Sequence, residues 1–194
     1  MVSSVGAIGF DVQGLLLGNG VANAEAAKAA KAAGASRFVY VSVASEVTDS
    51  RGWLPPFFAG YFDGKAQAEA AILDAGFDSA TFVRPSFIYG GDDFGLFPPR
   101  VNGAYGSAVE ELLSAGPFVA IANVLPGLLK VALRPPVSVD AVAGAAAAAA
   151  MGKVEAPILD GTPAINEAAG QKKASGLTDF VSSIKDKVSE SSTA

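Results

Sequence analysis

Tyr61 and Lys65 stand four residues apart in the stretch "AGYFDGKAQAEAAIL", residues 59–73. The composition reads as helix, and that spacing puts both side chains on one face. A phenol beside an ammonium is a proton-transfer pair. The cation stabilises phenolate, lowers the tyrosine pKa and leaves a group able to give or take a proton. The plainer reading is a half-buried tyrosine beside a solvated lysine, and an isolated Tyr-x-x-x-Lys carries little by itself. Other chemistry is thin. Gly90, Gly91, Asp92 and Asp93 read as a solvated turn, since two adjacent carboxylates without further ligands make no metal site. Glu110 and Glu111 read as an exposed helix face, and no residue is assigned to a metal.

Composition narrows the field. The chain has 194 residues with 51% apolar and 17% charged, enough for one domain with a sizeable core. It has no cysteine and no histidine, which excludes thiolate metal sites, disulfides, HExxH zinc sites and Ser-His or Cys-His catalysis. Proton chemistry must run through Tyr, Lys, Asp, Glu or a bound cofactor. The formal net charge of −5 argues against nucleic acid, which needs clustered Lys and Arg. The opening "MVSSVGAIGF" lacks a charged n-region and a cleavage pattern. The longest uncharged run, residues 112–129, "LLSAGPFVAIANVLPGLL", is broken by Gly-Pro and Pro-Gly and reads as a buried or surface-lying segment rather than a membrane span.

The elements that would position the pair alternate. "VSSVGAIG" reads as a buried strand closing on glycines, followed by a loop through Asp11 and Gly14. "NGVANAEAAKAAKAAGAS" is Ala-rich helix with Asn19 near its start and Gly34 as its C-cap. "RFVYVSV" is β-branched and aromatic, as in a central parallel strand. A loop with Gly52, Pro55 and Pro56 leads into the Tyr61–Lys65 helix. "SATFVRPSFIYG" reads as a strand stopped by Pro85, "VNGAYGSAVEELLSAG" as helix and 137–139 as a short strand capped by Asp140 before an alanine helix. Strand and helix alternating four times predicts a parallel α/β sheet. The expected organisation is a domain over 1–166 and a tail over 167–194. In the tail Leu177, Phe180, Val181, Ile184 and Val188 fall at helical spacing, the pattern of an amphipathic helix that docks on the body or on a partner.

The order "VYVSVAS", "GYFDGKAQAEAAIL", "FVRPSFIYG" and "PPVSVDAVAGA" resembles the atypical, extended-type short-chain dehydrogenases. The chain is most similar to plastid flavin-reductase-like proteins and a mitochondrial ubiquinone-synthesis accessory protein. The 39-kilodalton subunit of respiratory complex I is more distant. The resemblance covers residues 2–154 and implies a doubly wound, Rossmann-like parallel sheet with NAD(P) as cofactor. It implies that Tyr61 is the acid/base, that Lys65 lowers its pKa and holds the nicotinamide ribose, and that Ser45 bonds substrate. It also places Val5, Gly6, Asn19, Ser42, Arg84, Pro85 and Ser86 along the cofactor. Val43 and Ala44 stand between the serines where the enzyme pattern prefers hydroxyls.

The larger departure concerns phosphate. The family opens with a strand, a G-x-x-G-x-x-G turn and a helix whose N-terminus holds pyrophosphate. Gly6, Gly9 and Gly14 have another spacing, about ten residues separate Gly9 from the expected helix, and no acid ends the next strand. "VSSVGAIG" therefore matches the family's fourth strand, and the expectation is a Rossmann-like sheet lacking the first strands, with a small Pro-broken substrate lobe. Two functions follow from the resemblance. One is an NAD(P)-dependent oxidoreductase acting on a carbonyl, quinone or flavin-like acceptor. The other is a non-catalytic subunit or assembly factor of a respiratory or photosynthetic redox complex. The resemblance implies a plastid or mitochondrial location. The apolar "GWLPPFF" (52–58) and the 112–129 lobe imply a membrane surface or a larger complex as partner.

Overall fold

The structure, a computed structural model, describes residues 1–90, 109–110, 113–114 and 134–170. The strands β1 (Val2–Ser3), β2 (Arg37–Val41) and β3 (Ser79–Arg84) and a late strand, Ile158–Asp160, form a parallel sheet in that order. Alternation along β2 divides the core. Phe38, Tyr40 and Phe82 face α2 (Ala22–Ala32) and α4 (Ala59–Asp74), where Ala27, Ala30, Ala68 and Ile72 complete one cluster. Val39 and Val83 face the other side and pack on α5 (Val139–Ala150) and α6 (Gly161–Ala168) through Ala141, Ala145, Ala149 and Ile165. Helices on both faces of a parallel sheet make this an α/β fold, as the alternation predicts.

Several boundaries differ from the sequence reading. The first strand is Val2–Ser3 alone. The following helix starts at α1 (Val12–Leu16), well before Asn19, because the Asp11 side chain accepts from Gln13 N at 3.3 Å and Gly14 N at 2.7 Å. It continues through a π-helical turn (Leu17–Val21) into α2. The expected loop before Tyr61 contains α3 (Ser45–Asp49) and two 3-10 turns, Arg51–Trp53 and Pro56–Phe58. Pro85 separates β3 from β4 (Ile88–Tyr89), which pairs with β5 (Val137–Ser138) in a separate two-stranded sheet. The fourth strand of the main sheet is therefore β6 (Ile158–Asp160), and the boundary expected after residue 166 falls inside α6. Glu110 is 8% exposed rather than solvated; its carboxylate accepts from Tyr89 Oη and Asn166 Nδ2, each at 2.6 Å. The lobe over 112–129 (Leu113 and Ser114 excepted), Glu111, residues 91–93 and the tail pattern over 177–188 lie outside the described residues.

The cap of α5 is also corrected. Ser138, not Asp140, is its N-cap, and its hydroxyl accepts from Ala141 N at 3.1 Å. Ser138→Ala is expected to cost about 1 kcal/mol, and Asp140→Ala, which removes only a dipole interaction, about 0.5 kcal/mol. Urea midpoints compared between the two variants check this, and a larger loss at Asp140 would restore the original assignment.

Candidate functional site

Parallel α/β sheets gather their chemistry at the carboxyl ends of the strands. Here that end carries the loop after Ser3, residues 42–45 after β2, Pro85 and Ser86 after β3, and the first turns of α4 with Tyr61 and Lys65.

The loop after β1 is held by two asparagines at i and i+4 in the helix. Asn19, fully buried, accepts from Ala7 N at 3.2 Å and donates Nδ2 to Ala7 O and Leu15 O, both at 2.9 Å. Asn23 donates to Val5 O and Asn19 O and accepts from Ser3 Oγ at 2.6 Å. Amides bonding the carbonyls four residues back divert the helical ladder, which accounts for the π-helical turn. Gly18 and Gly20 flank Asn19 because a Cβ there would lie 2.5 Å from Ala7 Cβ and 2.4 Å from Gln67 Oε1. On the other side, Tyr40 Oη donates to Asn19 O at 3.0 Å, tying β2 to the same turn.

Lys65 is 7% exposed and its Nζ donates to Val41 O at 2.9 Å. It lies 4.8 Å from the Tyr40 ring centroid and 5.8 Å from that of Tyr61. A Cβ on Gly6 would lie 3.7 Å from Lys65 Nζ and 3.1 Å from Asn19 Oδ1, so glycine keeps the space above Lys65 open. Burial lowers the Lys65 pKa to about 8, against the opposing pull of Glu69. Burial raises the Tyr61 phenol to about 12. In this arrangement burial sets the direction of the Tyr61 shift, while the Lys65 ammonium is held on a backbone carbonyl. The Tyr61 hydroxyl has no hydrogen-bond partner among the described residues.

A cleft of about 200 Å³ beside the pair is lined by Ser42, Ser45, Phe62, Lys65, Glu69 and Arg84, among others. Ser42 Oγ is buried there without a hydrogen-bond partner among the described residues. Arg84 does not stand free: its Nε donates to Glu69 Oε1 at 3.0 Å and its Nη1 to Ser45 Oγ at 3.2 Å. Ser45 N donates to Asp160 Oδ1 at 3.1 Å. Of the residues expected to act, the structure thus brings Ser42, Ser45, Lys65 and Arg84 into one cleft, with Tyr61 adjoining. Gly6 and Asn19 lie across Lys65, while Val5 is 51% exposed and contributes a carbonyl to Asn23. Pro85 O accepts from Ala44 N at 2.9 Å, and Ser86 lines a separate cleft of about 310 Å³ with Asp160 and Thr162. The sequence reading missed Asn23, Glu69 and Asp160; Glu69, four residues after Lys65, was detectable from helical spacing.

Gly6, Gly9 and Gly14 keep a spacing other than that of the phosphate turn, although the expected gap of about ten residues between Gly9 and the helix is not found, since the helix opens at Val12. Its first amides, however, are taken by the Asp11 carboxylate. An anionic cap that occupies the donors opposes a second anion there.

The buried ammonium has a consequence for stability. The unfolded chain holds the Lys65 proton up to about pH 10.5, whereas the folded chain releases it near 8. Between those values the unfolded state binds more protons, so stability rises with pH, by up to about 1.4 kcal/mol per pH unit. Lys65→Met is expected to remove that rise. Urea titrations of both proteins from pH 7 to pH 10.5 check it, and parallel curves would contradict the burial of the charge.

An apolar surface adjoins this end of the molecule. Trp53 is 68% and Phe10 76% exposed, and the Phe10 and Phe57 rings meet edge to face at 5.2 Å. Among the described residues no helix is long and apolar enough to cross a membrane.

No protein-family model matches this chain. It is similar to the uncharacterised chloroplastic protein At1g32220 of Arabidopsis thaliana, with 35% identity over 152 residues, which is 74% of this chain and 46% of that protein. The chain thus spans about half the length of the curated relative it matches.

Proposed function

We propose that these residues form the nicotinamide-side half of an NAD(P)-dependent oxidoreductase of the short-chain dehydrogenase type, acting on a carbonyl, quinone or flavin-like acceptor. The observation that carries it is that a buried Lys65 and an orphaned Ser42 hydroxyl share one cleft at the carboxyl end of a parallel sheet, with the Tyr61 ring 5.8 Å from Lys65 Nζ. A Cβ on Gly6 would lie 3.7 Å from Lys65 Nζ, so glycine leaves the approach to the ammonium clear, and a nicotinamide ribose taking that approach would be held by Lys65. The nicotinamide supplies the hydride when bound. Lys65 would hold a ribose hydroxyl, Tyr61 would hold the proton passed to the acceptor oxygen, and Arg84, bonded to Ser45 Oγ, would keep that hydroxyl in place.

The test is acceptor-dependent oxidation of NADPH and NADH by the longest reading frame that contains these residues, against ketone, quinone and free-flavin acceptors. No oxidation with any of them would favour the second reading, a non-catalytic subunit or assembly factor of an organellar redox complex. The commitment of Lys65 to Val41 O and the raised Tyr61 pKa speak for that reading. The chloroplastic relative supports a plastid location. The exposed Trp53 and Phe10 support association with a membrane surface or a larger complex, which liposome flotation and sedimentation check directly.

The 194-residue chain is expected to bind NADPH and NADH only at millimolar concentrations or weaker. Nicotinamide-side hydrogen bonds contribute roughly 1–3 kcal/mol each, against an association cost of at least about 4 kcal/mol. The pyrophosphate contacts that dominate affinity in this fold have no counterpart at the Asp11-capped helix. Calorimetric titration decides it, and micromolar binding would restore residues 6–14 as a phosphate site.

A further inference from the structure

At the end of the molecule away from the candidate site, α5 and α6 border an open groove of about 780 Å³. Its floor and walls include Ala148, Met151, Val154, Ile158, Ala164 and Ala168. Met151 is 62% and Ile158 43% exposed, so large apolar side chains face water beside small ones that would let another backbone come close. Gly170, in the left-handed region at φ +70°, ends α6 on the rim of this groove, and the chain continues from there.

We propose that this groove is the docking site of the chain's own segment 177–188, lying as a helix with its apolar stripe against α5 and α6. That stripe is Leu177, Phe180, Val181, Ile184 and Val188, at the i, i+3, i+4, i+7 spacing of one helical face. Twelve helical residues span about 18 Å, enough to cover the exposed length of α5. The connector 171–176, "QKKASG", reaches up to about 20 Å and ends in a glycine, so the segment turns back without strain. Charge agrees once the connector is included: Glu155 and Glu167 border the groove with Lys153, a net −1, and residues 171–188 carry Lys172, Lys173, Lys185 and Lys187 against Asp179 and Asp186, a net +2. Tethering decides between occupants. A segment joined through six residues has an effective concentration near millimolar, above that of a separate copy in solution.

The chain is free of cysteine, so introduced thiols report without background. In the full chain, Ala148→Cys is combined with Ile184→Cys on the apolar stripe, or with Asp186→Cys on the opposite face, and treated with a short bismaleimide. The stripe pair is expected to link within one chain about tenfold faster than the opposite-face pair, independently of protein concentration. Equal rates on the two faces would overturn the proposal, as would links formed only between chains, which would assign the groove to a second copy. Hydrogen exchange supplies a measurement free of the Ala148 change. Phe180→Asp in the full chain should speed exchange several-fold in the last turn of α5 and at 154–158 while leaving β2 and β3 unchanged; unchanged exchange there would equally overturn it.

Discussion

Replacing Gly60 by alanine is expected to destabilise the protein by about 3 kcal/mol or more. A Cβ at that position would lie 2.1 Å from Val12 O and 2.9 Å from Val12 C, both backbone atoms of the helix crossing α4. Neither end of that contact is a flexible side chain that can move aside, so the two helices must separate. One turn on, a Cβ on Gly64 would lie 2.9 Å from Asn19 Cβ and 3.0 Å from Gly20 N. Alanine would gain about 1 kcal/mol from helix propensity, well short of offsetting a backbone collision. Gly52 is the control, since a Cβ there meets nothing within 4 Å. Gly52→Ala should change stability by less than about 0.5 kcal/mol. Urea midpoints measured on the two variants distinguish them, and equal midpoints would mean that the helices are not in backbone contact. The crossing matters beyond stability, because it fixes the distance between Asn19, which holds the Ala7 loop, and Lys65 on the next residue of α4.

How far these contacts could be read from the chain differs by element. β2 and β3 were legible because "RFVYV" and "SATFVR" are β-branched and aromatic without helical period, and α4 and α5 because alanine-rich runs leave little else to form. β6 was missed because a three-residue strand, "ILD", shows no alternation, and its pairing with β3 is decided by distant packing. The early start of α1 was missed because Gly14, Gly18 and Gly20 disguise a helix; their absent Cβ atoms are instead what admits Asp11, Ala7 and α4. Ser42 and Ser45 follow β2 directly and Lys65 lies in the second turn of α4, so all three line one cleft at the carboxyl end of the sheet. What spacing could not show is the competition for them: Val41 O takes the ammonium and Arg84 takes Ser45. Arg84 meets Glu69 on the preceding helix and Ser45 39 residues earlier in the chain, so only the fold reveals that one guanidinium bridges the two.

If the proposed reaction holds, Tyr61→Phe is expected to lower turnover by about 100- to 10,000-fold with cofactor affinity nearly unchanged. The ring would keep its edge-to-face contact with Phe62 at 5.2 Å, so the change removes a proton and little packing. With its pKa raised to about 12, Tyr61 is protonated at neutral pH and enters as the acid of a reduction, giving its proton to the acceptor oxygen as hydride reaches the adjacent carbon. The phenolate so formed needs a neighbouring cation. Lys65 supplies that charge only below its own pKa of about 8, so turnover in the reducing direction should fall as pH rises through that value. Lys65→Arg, charged throughout, should move the falling limb upward if the guanidinium fits beside Val41 O, whereas Lys65→Ala should weaken both turnover and cofactor binding. Steady-state rates measured across pH 7 to pH 10.5 on the reading frame that contains these residues separate the roles. Undiminished activity in Tyr61→Phe would remove the phenol from the mechanism, and a pH profile unmoved by Lys65→Arg would remove the ammonium as the titrating group.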